Sequence, residues 1–257
     1  MSNLLSDQHA LITGGGSGIG LAIAAAFLAD GASVTIVGRD QSRLQSAAAN
    51  LQGDIRLHAA DVADEDGIQA AISTANAAKP LTIAVANAGT GGGGPLLQTD
   101  SADWRRVLNT NLDGTFFTFK YAGQALAANG GGALCAISSV AGLRTHKLMS
   151  AYCTSKAAID MLVRNAADEL GAAGIRVNSV CPGLVETDLS AGLHEHDAMR
   201  NDYLSCMPIA EVGQPADIAA AVRYLCGPEA RWVTGVVLPV DGGHHLRRGP
   251  NLEKLSP

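Results

Sequence analysis

Seven short apolar runs separated by longer, Ala-rich segments restrict the fold of this chain more than any other feature. The runs are ALIT (10–13), SVTIV (33–37), IRLHA (55–59), TIAVA (82–86), ALCAIS (133–138), IRVNSV (175–180) and VVLPV (236–240). They are nearly continuous in hydrophobicity rather than alternating, as expected of strands buried on both faces in a parallel sheet. Segments near 18–30, 41–51, 64–78, 103–128, 151–172 and 215–226 read as helices, and Pro215 suits the first helical position of the last one. Repeated β-α alternation requires right-handed crossovers, so an open, doubly wound α/β sheet is expected. No composition shift or charged linker divides residues 1–257, which predicts one domain. Two stretches break the rhythm. TGGGGP (90–95) is a glycine-rich connection that looks flexible, and 186–212 has no strand character, as expected of a lid or binding loop.

Composition narrows the function. Net charge is −6 without a Lys or Arg run, so a nucleic acid or an anionic membrane surface is not an expected partner. Five cysteines without CxxC spacing predict reduced thiols packed in a cytoplasmic protein. The start MSNLLSDQHALITGGG has no basic or apolar leader region, so no signal peptide is expected. The uncharged stretch 121–143 is broken by Gln124, Asn129 and glycines, unlike a spanning helix. His194 with His196, and His244 with His245, lack metal-ligand spacing, and no metal site is expected.

TGGGSGIG (13–20) lies between the first strand and the first helix. Glycines there allow positive φ and close approach of a pyrophosphate to the free N–H groups of a helix start. The spacing is Gly14-x3-Gly18-x-Gly20, not GxGxxG, so a tight strand-helix turn is the competing reading. The second strand ends at Val37-Gly38-Arg39-Asp40. A carboxylate at that place would bind a ribose 2′-hydroxyl, whereas an arginine accommodates a 2′-phosphate. Gly38 followed by Arg39 favours NADP(H). Asp40 keeps NAD(H) open, although capping of the next helix suits it better. Further on, Tyr152 and Lys156 in AYCTSK stand one helical turn apart. A nearby ammonium would lower the pKa of a phenol that is otherwise near 10 and make it fit for proton transfer.

These motifs, in this order and over nearly the whole chain, resemble the short-chain dehydrogenase/reductase family. TGGGSGIG is similar to its cofactor loop, which implies contacts from Gly14, Ser17, Gly18, Ile19 and Gly20. Asp61-Val62 resembles its adenine-contacting pair, and Asn87-Ala88-Gly89 its NAG motif. Asn111 in NTNLDG, Ser139 closing ISS, and Tyr152 and Lys156 in YxxxK match its catalytic positions. Pro182-Gly183, with Val185 and Thr187 beyond, resembles the segment beside the nicotinamide, and VTGVVLPVDGG (233–243) the closing strand and turn. Ala86 stands where the family commonly has Asn, and a structural role is expected for it.

The resemblance implies one Rossmann-like, doubly wound parallel sheet of about seven strands with helices on both faces. It implies an NAD(P)(H)-dependent oxidoreductase that interconverts a secondary alcohol and a ketone. Tyr152 would be the general acid/base. Lys156 would bias its ionisation, Ser139 would bond the substrate oxygen, and Asn111 would position a relay water. A dinucleotide-binding sensor is the alternative, but it would not need all four residues. Leu143, His146, Leu148, Met149 and the 186–212 segment are expected pocket walls for a fairly hydrophobic substrate, with His146 more exposed than engaged. The family implies a homotetramer or dimer, with the helices 103–128 and 151–172 at one interface and the C-terminal region at another. The tail LRRGPNLEKLSP suggests no role.

Overall fold

The computed structural model describes residues 3–247. The strands are β1 (His9–Thr13), β2 (Ser33–Gly38), β3 (Ile55–Ala59), β4 (Ile83–Ala86), β5 (Gly132–Ile137), β6 (Ile175–Pro182) and β7 (Val237–Val240). They form one parallel sheet in the order β3-β2-β1-β4-β5-β6-β7. The helices are α1 (Gly18–Ala29), α2 (Gln41–Ala48), α3 (Glu65–Ala78), α4 (Ser101–Leu108), α5 (Gly114–Ala128), α6 (Val140–Leu143), α7 (Ser150–Leu170), α8 (Ala191–His194), α9 (Asp197–Ser205) and α10 (Pro215–Cys226).

Both faces of the sheet are covered, which is why its strands read as continuous apolar runs. Successive residues of β1 point to opposite faces. Ala10 and Ile12 meet Ile23 and Phe27 of α1 and Val222 of α10. Leu11 faces the other layer, built from Ile68 and Ile72 of α3, Phe119 and Leu126 of α5, and Ile159 and Val163 of α7. Ala86 is buried in that second layer, in keeping with a structural role.

Three expectations change. The segment 103–128 is not one regular helix: a π-helical turn, Asn109–Asp113, separates α4 from α5. The 186–212 stretch, expected to lack strand character, carries the helices α8 and α9, and a parallel bridge between Val185 and Gly213 closes its base. The glycine-rich connection is anchored at both ends, by Thr90 N–H to Asn111 Oδ1 (2.8 Å) and by Gly94 N–H to the Leu148 carbonyl (2.7 Å). Most of the C-terminal tail lies outside the described residues.

The order of the sheet reverses between β1 and β4, and a crevice opens beyond their carboxyl ends. The first turn of α1 fits against it only because residue 20 lacks a side chain: a Cβ there would stand 2.3 Å from the Gly14 carbonyl oxygen. Gly20→Ala is therefore expected to destabilise the protein by about 1–3 kcal/mol, seen as a lower urea midpoint at unchanged slope.

Candidate active site

The crevice is built by polar side chains that take over where strand pairing ends. The Thr13 hydroxyl accepts the N–H groups of Asn87 (3.0 Å) and Ala88 (3.1 Å). Asn87 returns its carboxamide N–H to the carbonyls of Thr13 (2.9 Å) and Gly14 (3.3 Å). The glycine loop is thus pinned to the end of β4 through the Asn87 carboxamide nitrogen. Gly14 and Gly18 take φ of 66° and 51°, which glycine tolerates without strain. A Cβ on Gly18 would lie 3.3 Å from Thr187 Cγ2, so the channel between loop and Thr187 depends on that glycine.

A cavity of about 700 Å3 runs from here along the strand ends. Gly14, Ser17, Gly18, Ile19, Arg39, Asp61, Val62, Asn87, Ala88, Gly89, Pro182, Gly183, Val185 and Thr187 all line it. Gly20 does not, and acts by close packing.

At the end of β2, Asp40 caps α2: its carboxylate accepts the N–H groups of Ser42 (2.8 Å) and Arg43 (3.1 Å). The Ser42 hydroxyl and these two N–H groups hold the carboxyl below its ordinary range. Arg39 is largely exposed at the cavity and lies 4.0 Å from Asp61. Arg43, which the sequence reading missed, also lines the cavity and reaches Asp188 at 2.5 Å.

Farther along, Ser139 is the N-cap of α6, its Oγ accepting the Ala141 N–H at 3.1 Å, rather than a cap on the preceding strand. Tyr152 and Lys156 stand one turn apart on α7, with Lys156 Nζ 5.6 Å from the phenol ring centre. The Lys156 ammonium is buried and donates to the Ile137 carbonyl at 2.7 Å. Burial lowers its pKa to about 8, against the upward pull of Cys181 and Asp160. Burial raises the Tyr152 pKa, and a hydrogen bond with Ser139 opposes the rise. Ser139, Tyr152 and Lys156 face one end of the cavity.

Asn111 lies behind that end, fully buried and outside the lining. Its carboxamide accepts from Thr90 N–H and donates to the Thr90 carbonyl and the Ser155 hydroxyl, both at 3.0 Å. It therefore ties the π-helical turn to the loop after β4 and to α7.

His146 and Met149 line the cavity, whereas Leu143 and Leu148 do not and are exposed at 40% and 59%. Leu143 is the last residue of the single turn α6, whose buried side is formed by Val140 and Ala141. His146 is not an exposed loop histidine. Its ring packs 6.1 Å from Tyr203 and 5.7 Å from His244, centre to centre. Tyr203 on α9, Leu189 and Leu193 bring the 186–212 segment to the cavity wall, and Arg106 of α4 lines it near Thr90. Arg106 and Tyr203 carried no local signal in the sequence, because only the tertiary fold brings them there.

A family model described as enoyl-(acyl carrier protein) reductase matches residues 6–245. The chain belongs to the short-chain dehydrogenase/reductase family. It is 37% identical over 243 residues to galactitol 2-dehydrogenase (L-tagatose-forming) of Cereibacter sphaeroides, covering 93% of this chain and 96% of that protein. It is 40% identical over 251 residues to 2-(S)-hydroxypropyl-CoM dehydrogenase 3 of Xanthobacter autotrophicus, covering 95% and 98%. A short-chain type dehydrogenase/reductase structure from Mycobacterium ulcerans aligns with a TM-score of 0.93 at 40% identity, covering 100% of this chain and 95% of that one. The protein is therefore an NAD(P)-dependent oxidoreductase acting on hydroxyl and ketone groups.

The glycine cradle and the channel beside Thr187 fit a dinucleotide. The buried ammonium adds a stability signature. Its folded pKa, about 8, lies below the 10.5 of a free lysine, so the unfolded chain holds this proton more tightly. The cost of burying the charge is fully present below pH 8 and fades as pH rises towards 10.5. Lys156→Met is expected to stabilise the fold at pH 7 by about 2 kcal/mol, allowing for the lost hydrogen bond. Urea denaturation at pH 7 and 10 checks this, and equal stability of the two proteins at pH 7 would count against it.

Proposed function

We propose that this protein is an NADP(H)-dependent oxidoreductase interconverting a secondary alcohol and a ketone, with Tyr152 as general acid/base. The observation that carries the reading is the convergence of Ser139, Tyr152 and buried Lys156 at one end of the cavity whose other end is the glycine cradle. The nicotinamide, when bound, supplies the hydride for the carbonyl carbon. The Tyr152 phenol gives the proton to the carbonyl oxygen. Ser139 accepts the Ala141 N–H on its oxygen and so keeps its own proton to donate to the substrate. Lys156 favours the phenolate by charge. Asn111 would position a relay water; its carboxamide bonds Thr90 and Ser155, and its main-chain carbonyl accepts the Thr115 hydroxyl at 2.7 Å.

Preference for NADP(H) is supported by Arg39 and Arg43 at the cavity beside Gly38; Asp40 lines the cavity too, but its carboxylate is engaged in capping α2. Met149, Leu184, Leu189 and Leu193 line the substrate side and suit a fairly hydrophobic alcohol or ketone. A homotetramer with α5 and α7 at one interface belongs to this reading, and Phe116 and Met161, exposed at 45% and 52%, would be covered there. We read the chain as one domain working in the cytoplasm, where its five free thiols would stay reduced.

Tyr152→Phe is expected to lower kcat about 10²–10⁴-fold while the dissociation constant for NADPH stays unchanged. A cofactor-dependent activity surviving this change undiminished would defeat the mechanism. Arg39→Ala and Arg43→Ala should each weaken NADPH binding by about tenfold and leave NADH binding unaltered, measured by fluorescence titration. Equal effects on both cofactors would favour the NAD(H) form of the reaction.

A further inference from the structure

Asp160 stands one turn beyond Lys156 on α7, as Lys156 stands one turn beyond Tyr152, so the three share a helix face. An aspartate within a helix ordinarily faces water, yet this one is only 3% exposed. Its Oδ1 accepts the Ser179 hydroxyl of β6 at 3.0 Å, and the Cys181 thiol lies 3.7 and 3.8 Å from its two oxygens. On the other side is α6. A Cβ on Gly142 would stand 3.0 Å from Asp160 Oδ2 and 2.9 Å from the Lys156 carbonyl carbon. The glycine lets α6 approach the carboxylate that closely. The neighbouring Ser138 hydroxyl donates to the Lys156 carbonyl at 3.1 Å.

The elements meeting at this carboxylate are those that carry the reacting groups. Ser139 begins α6, Tyr152 and Lys156 lie on α7, and β6 runs out into Pro182 and Gly183. We propose that Asp160 is a positioning residue for the oxidoreductase reaction. It fixes these elements relative to one another and holds its carboxylate one helical turn beyond Lys156. The proposal rests on the acid/base reading of Tyr152 and Lys156 above.

The charges around it are few. Arg164 and Lys156 lie on its own helix, Cys181 faces it from β6, and α6 (Val140–Leu143) brings no titratable side chain. The Cys181 thiol is pushed up to about 12 by burial and stays neutral through the working range. Burial also raises the Asp160 pKa, while the hydrogen bond from Ser179 draws it down. Once ionised, Asp160 holds the proton on Lys156, so its loss should let that proton leave at lower pH.

The test compares pH profiles of kcat/KM for ketone reduction with NADPH, using wild type, Asp160→Asn and Tyr152→Phe. Asp160→Asn should move the alkaline limb down by roughly one pH unit. If Tyr152→Phe abolishes turnover but Asp160→Asn leaves the limb where it was, the assignment of Asp160 falls and the acid/base reading stands. If Tyr152→Phe retains full turnover, the acid/base reading falls and takes this one with it. Should Asp160→Asn not fold, Ser179→Ala replaces it. Removing that donor should raise the carboxyl pKa and shift the acid limb upward, and an unmoved acid limb would overturn the proposal.

Discussion

A primary ammonium inside a protein has to be met by acceptors, and the burial of Lys156 organises the catalytic end of this molecule. Its hydrogen bond to the Ile137 carbonyl joins α7 to the last residue of β5. The chain leaving β5 passes directly into Ser138 and Ser139, so the same contact sets the height of the serine against the turn of α7 carrying Tyr152. Burial of the amine opposes its charge, and what remains of that charge is confined beside the phenol.

Elsewhere the site relies on side chains that complete backbone pairing where strands have ended. Asn87 and Asn111 perform the same task in two loops: each carboxamide satisfies main-chain groups of a segment distant in sequence. Buried main-chain polar groups must be paired, and a carboxamide can both donate and accept. The result is a rigid rim around the cavity, although its loops are rich in glycine.

The sheet was readable in the sequence because strands buried on both faces leave unbroken apolar runs, and β2 and β3 end within one residue of expectation. The glycine loop and the shared face of Tyr152 and Lys156 were readable from spacing, since a strand end and one helical turn fix where side chains point, whereas Ser139 was marked out by the family resemblance alone. The π-helical turn at Asn109–Asp113 was not, because it is held by the long-range bond from Asn111 to Thr90 rather than by a residue type. Leu143 was misplaced because the short helix α6, which buries Val140 and Ala141 instead, has no marker in the local pattern. Tyr203 reaches the cavity and Asp160 becomes buried only through partners far along the chain, His146 and Ser179.

The bridge between Val185 and Gly213 has an evolutionary consequence. It closes the 186–212 excursion at its base, so α8 and α9 form an insertion between two neighbouring points of the backbone, meeting the rest of the site through side chains such as Tyr203 against His146 and Asp188 against Arg43. A chain built this way can exchange the part that meets the substrate while the chemistry stays in place. That separation makes the segment a module, open to drift and to grafting between relatives.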